Sequence, residues 1–271
     1  MYKLIAIDLD GTLLTDELTI TPRTIQAIQK AVELGTVVTI ATGRMYPSAK
    51  QFAQQLGINV PVITYQGAII KEIASNEVIY ERLIPADIAQ KLVDITIEKK
   101  LHLQVYQDDI LYGAMENDKL IAYAEKSKVP YQVEPNLGKL TKQGFTKALF
   151  IEESDYLDNL QVELQALFGE RAHISKSAVN YLEVTHPEAN KGSALLHLAS
   201  QLGIDRTETI GIGDNHNDIE LIQTAGLGIA MGNAVQALKG IADYTTLSNN
   251  EDGVCHAIEK FILEPMEAIV E

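Results

Sequence analysis

The chain has 271 residues, of which 46% are hydrophobic and 22% charged, a globular composition that is long for one compact domain and comfortable for two. Its net charge of −15 excludes nucleic acid and anionic membrane as partners, since both require a cationic surface. Acids interrupt the opening MYKLIAIDLDG at Asp8 and Asp10, so we expect no signal peptide. The lone cysteine, Cys255, cannot form an internal disulfide, and we expect a reducing cytoplasm.

The first third of the chain alternates strand and helix patterns. Residues 4–7 are a continuous apolar run, typical of a strand that is buried on both faces. Thr21 is a good N-cap residue, Pro22 suits the first helical position, and Gly35 is placed to end the helix. The next predicted elements are a strand at 37–41, a helix that Gly57 closes, and a strand at 61–70 broken at Gln66-Gly67. This order predicts a parallel sheet with right-handed crossovers.

The middle of the chain differs from its two ends. The last third repeats the alternation, with a helix at 191–202, a strand at 209–213, a helix from 218, short strands at 228–231 and 244–247, and a C-terminal helix. In the middle, helices mix with strands of alternating polarity, and Asp108-Asp109 predicts a hairpin turn. Pro85 and Pro187 favour extended linkers at the edges of this block. We therefore predict an α/β fold with a core at 1–84 and 187–271, split by a domain inserted at 85–186.

Acidic side chains follow two of the predicted strands. Asp8 and Asp10 come after the first strand, and Asp214 comes after the strand at 209–213. In open α/β sheets, ligands bind beyond the carboxyl ends of the strands. Carboxylates this close repel each other, and a divalent cation resolves the conflict; Mg²⁺ suits such a site because it prefers oxygen ligands. Asp8 and Asp10 alone are also readable as solvated loop acids. Asp214 follows its own strand in the same way, and this favours the metal site.

Other junctions carry groups that suit a phosphate. Lys191 begins a helix, where the dipole disfavours a cation, so it is either simply solvated or the partner of an anion. Thr42 is either an N-cap or, with Gly43, a source of hydroxyl and backbone N–H donors for a phosphate. Asn217 and Asp218 also suit a plain helix start, because acids complement the N-terminal dipole. The residues by themselves leave these alternatives open.

Four segments, in this order, resemble the motifs of the haloacid dehalogenase superfamily, and more closely those of the Cof-type phosphatases of subclass IIB. They are DLDGTLL at 8–14, ATGR at 41–44, NKGSAL at 190–195 and GDNHNDIEL at 213–221. The long insertion between the second and third motifs and the tail NNEDGVCHAIEKF fit the same family. The resemblance covers nearly the whole chain, and four ordered motifs are far more specific than one. It implies a Rossmann-like parallel-sheet core with an inserted α/β cap domain.

The resemblance also implies a two-step hydrolysis of a phosphate ester. Asp8 would attack phosphorus and form an aspartyl-phosphate. Asp10 would protonate the leaving alcohol and then act as base on the attacking water. Mg²⁺ would be held by the Asp8 carboxylate, the Asp10 carbonyl and Asp214, and Asp218 would support the metal shell. Asp10 can keep a proton if its side chain turns away from the ion, which separates the roles of the two acids.

The phosphoryl group has its own implied partners. They are the side chains of Thr42, Lys191 and Asn217 and the backbone groups of Leu9 and Gly43. Two positions depart from the family pattern, and neither is expected in a catalytic role. His216 stands in the fourth motif and is expected as an exposed loop histidine, and Gln66 stands where asparagine is commoner.

We therefore predict a cytoplasmic, Mg²⁺-dependent phosphatase that is a monomer or weak homo-oligomer. Its substrate would be a small phosphorylated metabolite, with sugar phosphates ahead of flavin-pathway phosphates and nucleotides. The alternatives are a phosphomutase on a sugar phosphate and a non-catalytic phospho-receiver or metabolite-binding regulator. Neither the receiver nor the regulator needs Asp10 together with a cap. The cap is expected to set specificity. Its polar candidates, each also readable as ordinary cap surface or core, are Tyr106, Tyr112, Lys147, Tyr181 and Glu183.

Overall fold

The computed structural model of the chain describes residues 1–265, which form two compact units. The first unit joins Met1–Tyr80 with Asn190–Glu271, and the second, Glu81–Ala189, lies between these segments in the sequence. The predicted limits at 84/85 and 186/187 fall within a few residues of these, and the role of the second unit as a cap stays a prediction. Among the described residues, no helix is both long and apolar enough to cross a bilayer.

The elements are numbered in chain order. The strands are β1 (Leu4–Ile7), β2 (Val37–Ile40), β3 (Val62–Thr64), β4 (Ile69–Lys71), β5 (Val78–Glu81), β6 (Leu103–Gln107), β7 (Ile110–Gly113), β8 (Tyr131–Val133), β9 (Lys147–Ile151), β10 (His173–Ala178), β11 (Tyr181–Thr185), β12 (Thr209–Gly213), β13 (Leu227–Ala230) and β14 (Tyr244–Thr245). The helices are α1 (Pro22–Glu33), α2 (Tyr46–Leu56), α3 (Ala86–Lys99), α4 (Asp118–Ser127), α5 (Ser154–Phe168), α6 (Lys191–Gln201), α7 (Ile219–Thr224), α8 (Gln236–Lys239) and α9 (Gly253–Ile258), the last continued by a π-helical turn at Glu259–Leu263.

A parallel sheet forms the centre of the first unit. Its strand order is β14-β13-β12-β1-β2, and every residue of β1 is buried. Ile7, the last residue of β1, lies in register with Ile40 of β2 and Ile212 of β12. The segments that follow these three strands therefore leave the same edge of the sheet side by side. This confirms the predicted α/β fold with a parallel-sheet core.

Two helix starts show how local sequence builds this unit. The Thr21 hydroxyl accepts a hydrogen bond from the backbone N–H of Thr24 and caps α1. The side chain of Asn190 caps α6 in the same way, by accepting from the backbone N–H of Ser193. The cap places Lys191 at the first position of α6, with its side chain fully buried.

The third strand, predicted at 61–70 with a break at Gln66-Gly67, is interrupted there, but the chain reverses at the break instead of continuing in the same direction. Residues 65–67 form a tight turn, so β3 and β4 run antiparallel in a separate sheet of order β3-β4-β5. One parallel bridge, between Ala41 and Ile63, connects β3 to the segment after β2. Gly67 has φ 95°, and a Cβ there would overlap the carbonyl group of Asn190. The turn therefore needs glycine at this position both for its backbone conformation and for its close approach to the start of α6.

The second unit is built on a six-stranded sheet of order β10-β11-β9-β6-β7-β8. The predicted hairpin is confirmed, because Asp108 and Asp109 connect β6 to β7 with φ values of 52° and 61°. Two consecutive positive φ values are the signature of a type I′ turn, which matches the twist of the strands it joins. One face of the sheet packs against α3 and α5 in a single apolar core that includes Val105, Phe150 and Leu182.

Candidate active site

The site lies in the first unit, at the edge of the parallel sheet where the strands end. Asp8 follows β1 directly and donates its backbone N–H to the carbonyl of Ile212. Asp214 follows β12, and Thr42 comes two residues after β2. The parallel register therefore brings together residues that are more than two hundred positions apart in the sequence. This is where an open α/β sheet binds its ligands.

Lys191 is the centre of a buried charge cluster. Its ammonium Nζ lies 2.5 Å from Asp8 Oδ1 and 2.6 Å from Asp218 Oδ1. Lys191 and Asp218 are 0% exposed and Asp8 is 4% exposed. Charged hydrogen bonds of this length, screened by little water, hold all three side chains in one arrangement. Of the two interpretations that the sequence left open for Lys191, the solvated one is excluded by this burial.

The electrostatics of the cluster show an excess of negative charge. Burial raises the pKa of Asp8 to about 8, against the opposing attraction of Lys191 and with a further upward push from Asp218. Burial also raises the pKa of Asp214 to about 6, and Asp218 adds to that shift. Burial alone would lower the pKa of Lys191, but the Asp218 and Asp8 carboxylates raise it overall. One lysine therefore does not balance the carboxylates around it, and a cation would.

Three carboxylates stand within reach of one metal ion. Oxygens of Asp8, Asp214 and Asp218 all lie within 4.8 Å of one another. Mg²⁺ binds oxygen at about 2.0–2.1 Å, so ligands across the ion are separated by roughly twice that length. Gly11, at φ 79°, leaves no room for a Cβ against the Asp214 carboxylate. The spacing and the hard oxygen donors fit Mg²⁺.

Asp218 is engaged on both of its carboxylate oxygens. Oδ1 accepts from Lys191, and Oδ2 accepts from the backbone N–H groups of Asp214 at 3.0 Å and Asn215 at 3.1 Å. These bonds fold the loop after β12 into a short 3₁₀ turn and aim Asp214 at the cluster. Thr12 contributes from the other side, with its hydroxyl donating to Asp214 Oδ1 at 3.3 Å.

Asp10 is turned away from this cluster and paired with a cation. Its carboxylate accepts two hydrogen bonds from Arg44, from Nη2 at 2.6 Å and from Nε at 2.8 Å. The Asp10 side chain is 52% exposed. The Arg44 guanidinium also stacks 5.1 Å from the centre of the Phe52 ring, which fixes its orientation. The two acids of the first motif therefore have different surroundings: Asp8 is buried beside Lys191, whereas Asp10 is exposed to solvent beside Arg44.

The predicted phosphate-binding residues lie around the same edge. Thr42 is buried, and its hydroxyl oxygen accepts from the backbone N–H of Arg44 at 3.1 Å, which leaves its hydrogen available to a ligand. Met45, and not Thr42, is the N-cap of α2. Asn217 is exposed, and its Nδ2 donates to Gln66 Oε1 at 3.1 Å. Leu9 and Gly43 flank Asp8 and Thr42 in the chain.

Three contacts of the site were not expected from the sequence. Arg44 enters the sequence prediction only as part of a motif, although a cation four residues after the end of β2 is a visible signal. Thr12 supports Asp214 across two hundred residues, which local patterns do not reveal. Gln66 has no predicted catalytic role, and the structure shows that it contacts Asn217. His216 is exposed, as expected.

Comparisons with known proteins identify the family of the chain. Residues 5–258 match the family model described as haloacid dehalogenase-like hydrolase. The HMP-PP phosphatase of Serratia proteamaculans is 33% identical over 269 residues, which cover 98% of this chain and 97% of that protein. The 5-amino-6-(5-phospho-D-ribitylamino)uracil phosphatase YitU of Bacillus subtilis is 30% identical over 265 residues, which cover 95% and 97%.

A solved structure has the same fold over nearly its full length. TM0651 from Thermotoga maritima superposes with a TM-score of 0.88 at 35% identity, and the match covers 96% of this chain and 98% of that one. The chain belongs to the haloacid dehalogenase-like hydrolase family, and within that family it is a phosphatase.

Proposed function

We propose that the chain is a Mg²⁺-dependent phosphomonoester hydrolase that acts through a covalent phosphate on Asp8. One observation carries the proposal: a buried Lys191 ammonium holds Asp8 at 2.5 Å, at the ligand-binding edge of the sheet, among carboxylates that it does not neutralise. A structural ion pair would be balanced. An arrangement with surplus negative charge suits a site whose working state includes a cation.

Asp8 and Asp214 are the side chains proposed to hold Mg²⁺, together with the backbone carbonyl of Asp10. Asp218 has donors on both oxygens, so its proposed role is to orient Lys191 and the Asp214 loop. Bound Mg²⁺ supplies positive charge that offsets the dianionic phosphate and keeps Asp8 ionised. Lys191, Thr42, Asn217 and the backbone of Leu9 and Gly43 are proposed to bind the phosphoryl oxygens.

The chemistry divides between the two acids of the first motif. An Asp8 carboxylate oxygen attacks phosphorus, the bond from phosphorus to the ester oxygen breaks, and Asp10 gives a proton to the departing alkoxide. Water then attacks the phosphorus, Asp10 takes a proton from it, and the bond to Asp8 breaks to release inorganic phosphate. Protonated Asp10 gives up one of its two hydrogen bonds to Arg44 and keeps the other on its carbonyl oxygen, so Arg44 still positions the acid. The two-bond pair forms again with the ionised base of the second step.

Small phosphorylated metabolites are the proposed substrates, with sugar phosphates first. Two full-length relatives are named as phosphatases of HMP-PP and of 5-amino-6-(5-phospho-D-ribitylamino)uracil, which supports a small-molecule substrate. The first-unit residues described above engage only phosphate and metal. We therefore propose that the second unit, Glu81–Ala189, is the cap that selects the rest of the substrate.

The proposed setting is the cytoplasm, and the proposed state is a monomer or weak homo-oligomer. Cys255 is a buried free thiol, and burial raises its pKa to about 11, so it is an inert packing residue rather than a redox group. A chain without a disulfide and without an activated thiol suits a reducing compartment.

The test is phosphate release from p-nitrophenyl phosphate and a panel of sugar phosphates, with Mg²⁺ and with EDTA. Wild type is expected to turn over only with Mg²⁺. Asp8→Asn is expected to lose activity by at least about 10³-fold because it removes the nucleophile while keeping the shape. Glu33→Gln, the same acid-to-amide change at an exposed position of α1, is the matched control and keeps full activity. Turnover in EDTA, or an active Asp8→Asn protein, would contradict the proposal.

A further inference from the structure

The turn between β3 and β4 has a backbone conformation that is unusual for a hairpin loop of its length. Thr64 pairs with Ile69, so residues 65–68 form a four-residue hairpin loop. Such loops are most often built around a type I turn, in which φ is negative. Here Tyr65 has φ 52° and Gln66 has φ 60°. Aspartate tolerates this region, as at Asp108-Asp109, but a bulky residue such as Tyr65 in it is an outlier, and strain of this kind clusters at functional sites.

The contacts that impose this conformation come from the phosphate-binding segments. The backbone N–H of Gln66 donates to the carbonyl of Thr42 at 3.1 Å, and that of Tyr65 donates to the carbonyl of Arg44 at 3.0 Å. The Tyr65 side chain is 1% exposed and anchors the turn in the core. These two hydrogen bonds therefore fix the turn directly against the loop at 42–44.

This turn places the Gln66 amide between two proposed phosphate-binding residues, Asn217 and Gly43. Its Oε1 accepts from Asn217 Nδ2 at 3.1 Å, and its NH₂ group lies so close to Gly43 that a Cβ on Gly43 would overlap it. Because Oε1 faces Asn217, the NH₂ group faces the other way, toward the 42–44 loop. Within residues 1–265, no protein acceptor receives a hydrogen bond from that NH₂ group. Gln66 is only partly buried, so a ligand can reach it.

We infer that Gln66 is a further phosphate-binding residue, whose NH₂ group donates a hydrogen bond to a phosphoryl oxygen beside Thr42 and Gly43. The inference rests on the proposed function, since it requires that the 42–44 loop hold a phosphate. The charge of the site supports it. The Lys191 ammonium is already shared by Asp8 and Asp218, so a dianionic ligand needs additional donors. A neutral amide supplies them without competing with Lys191 for those carboxylates.

Two variants separate a donor to phosphate from a residue that only positions Asn217. Gln66→Met keeps the side-chain length and removes both the acceptor and the donor. Asn217→Ala removes the side chain that Gln66 would position, and Gln66→Met is measured both alone and in the Asn217→Ala background. The measurement is the dissociation constant of inorganic phosphate by isothermal titration calorimetry with Mg²⁺ present, on the full chain. Gln51→Met, at an exposed position of α2, is the control, and circular dichroism checks folding.

We expect Gln66→Met to weaken phosphate binding by about tenfold, as for loss of a hydrogen bond to a charged group, both in wild type and in the Asn217→Ala background. The control binds as wild type does. If Gln66→Met weakens binding alone but not in the Asn217→Ala background, Gln66 only positions Asn217 and the inference is wrong. A folded wild type that does not bind phosphate also overturns it.

The proposed function is judged separately, by hydrolysis in wild type and in Asp8→Asn. A wild type that binds phosphate without hydrolysing an ester would reject the enzyme proposal, and the dissociation constants of the variants would still decide the role of Gln66. A wild type that hydrolyses esters, with Gln66→Met at wild-type affinity, would reject the inference alone.

Discussion

Each unit of the molecule buries a lysine among acids, and the two clusters are built differently. In the first unit, Lys191 bonds to Asp8 and Asp218, and Asp214 lies within the same group. In the second unit, Lys147 bonds to Glu183 at 3.0 Å and lies 4.8 Å from the centre of the Tyr106 ring. Both lysines are nearly or fully buried, at 0% and 4% exposed. Burial of a lysine therefore does not by itself identify a functional site.

The difference is the charge balance. The pair in the second unit is one cation to one anion, and Glu183 is also held by the Ser177 hydroxyl at 2.9 Å. Burial lowers the pKa of Lys147, and Glu183 and Tyr123 more than offset it, so the lysine stays charged and paired. The cluster in the first unit has three carboxylates to one lysine, and the pKa values of Asp8 and Asp214 are raised to about 8 and about 6. We interpret the balanced pair as a structural element, and we propose that the unbalanced cluster binds a cation and a substrate.

The largest expected effect is on the unbalanced cluster. Lys191→Met is expected to lower kcat/KM for p-nitrophenyl phosphate by roughly 10²–10³-fold, the cost of removing a preorganised charge donor. The loss occurs because Asp8 is no longer oriented and the phosphoryl oxygens lose a cation. Steady-state kinetics with Mg²⁺ measure it on protein that circular dichroism shows to be folded. Retained kcat/KM would mean that Lys191 is only structural, like Lys147.

The same substitution in the second unit is the matched comparison. Lys147→Met is expected to cost about 3–5 kcal/mol in the free energy of unfolding, because it leaves the Glu183 carboxylate buried without a partner. The double variant Lys147→Met/Glu183→Leu is expected to recover most of that loss, since a balanced pair can be replaced by apolar groups. Chemical denaturation measures both. A double variant as unstable as the single one would show that the pair does more than pack.

The second unit also contains a group that makes its stability sensitive to acid. Asn117 accepts from the Leu120 N–H through Oδ1, so its Nδ2 faces His102 Nδ1 at 3.0 Å, and the imidazole must be neutral to accept. Burial and then the charge of Lys119 lower the pKa of His102 from 6.5 to about 4. The pKa of His102 is lower in the folded state than in the unfolded state, so the unfolded chain takes up the proton first as pH falls. The contribution of His102 to the free energy of unfolding is therefore complete above pH 6.5 and is lost as pH falls toward 4.

The expected loss is roughly 2 kcal/mol between pH 7 and pH 4, reduced from the full shift because the ring is partly exposed. Denaturation curves at a series of pH values compare wild type with His102→Asn. The variant is expected to show a smaller decrease in stability on acidification over this range. Parallel curves for the two proteins would contradict the role of His102.

The smallest expected effect concerns the exposed pair of the first unit, Asp10 and Arg44. Arg44→Met is expected to lower kcat about tenfold on a sugar phosphate, whose alkoxide leaving group needs a proton from a correctly placed acid. The decrease on p-nitrophenyl phosphate should be smaller, because p-nitrophenolate leaves without protonation. Arg44→Lys keeps the charge but not the two-bond geometry, so its kcat should lie between those of wild type and Arg44→Met. Equal decreases on both substrates would place Arg44 in binding or folding instead.

Much of the fold was visible in the sequence because it depends on neighbouring residues. The run at 4–7, the Thr21-Pro22 helix start and the Asp108-Asp109 hairpin are each local signals, and each is confirmed. The break predicted at Gln66-Gly67 in the strand at 61–70 is confirmed, but the reversal of the chain at 65–67 is not predicted, because contacts with Arg44, Thr42 and Asn190 impose it. A pattern of apolar residues does not record contacts of that kind.

The same division holds for the site. The sequence by itself determined that Asp8, Thr42 and Asp214 follow strand ends and that Lys191 begins α6, since these positions are set by the order of elements along the chain. Only the tertiary structure decided how they are paired: Lys191 with Asp8 and Asp218, Asp10 with Arg44, and Gln66 with Asn217. The physical reason is that charge and hydrogen-bond balance depend on distances across the sheet edge. Those distances follow from parallel register and from strained turns, which join residues up to two hundred positions apart.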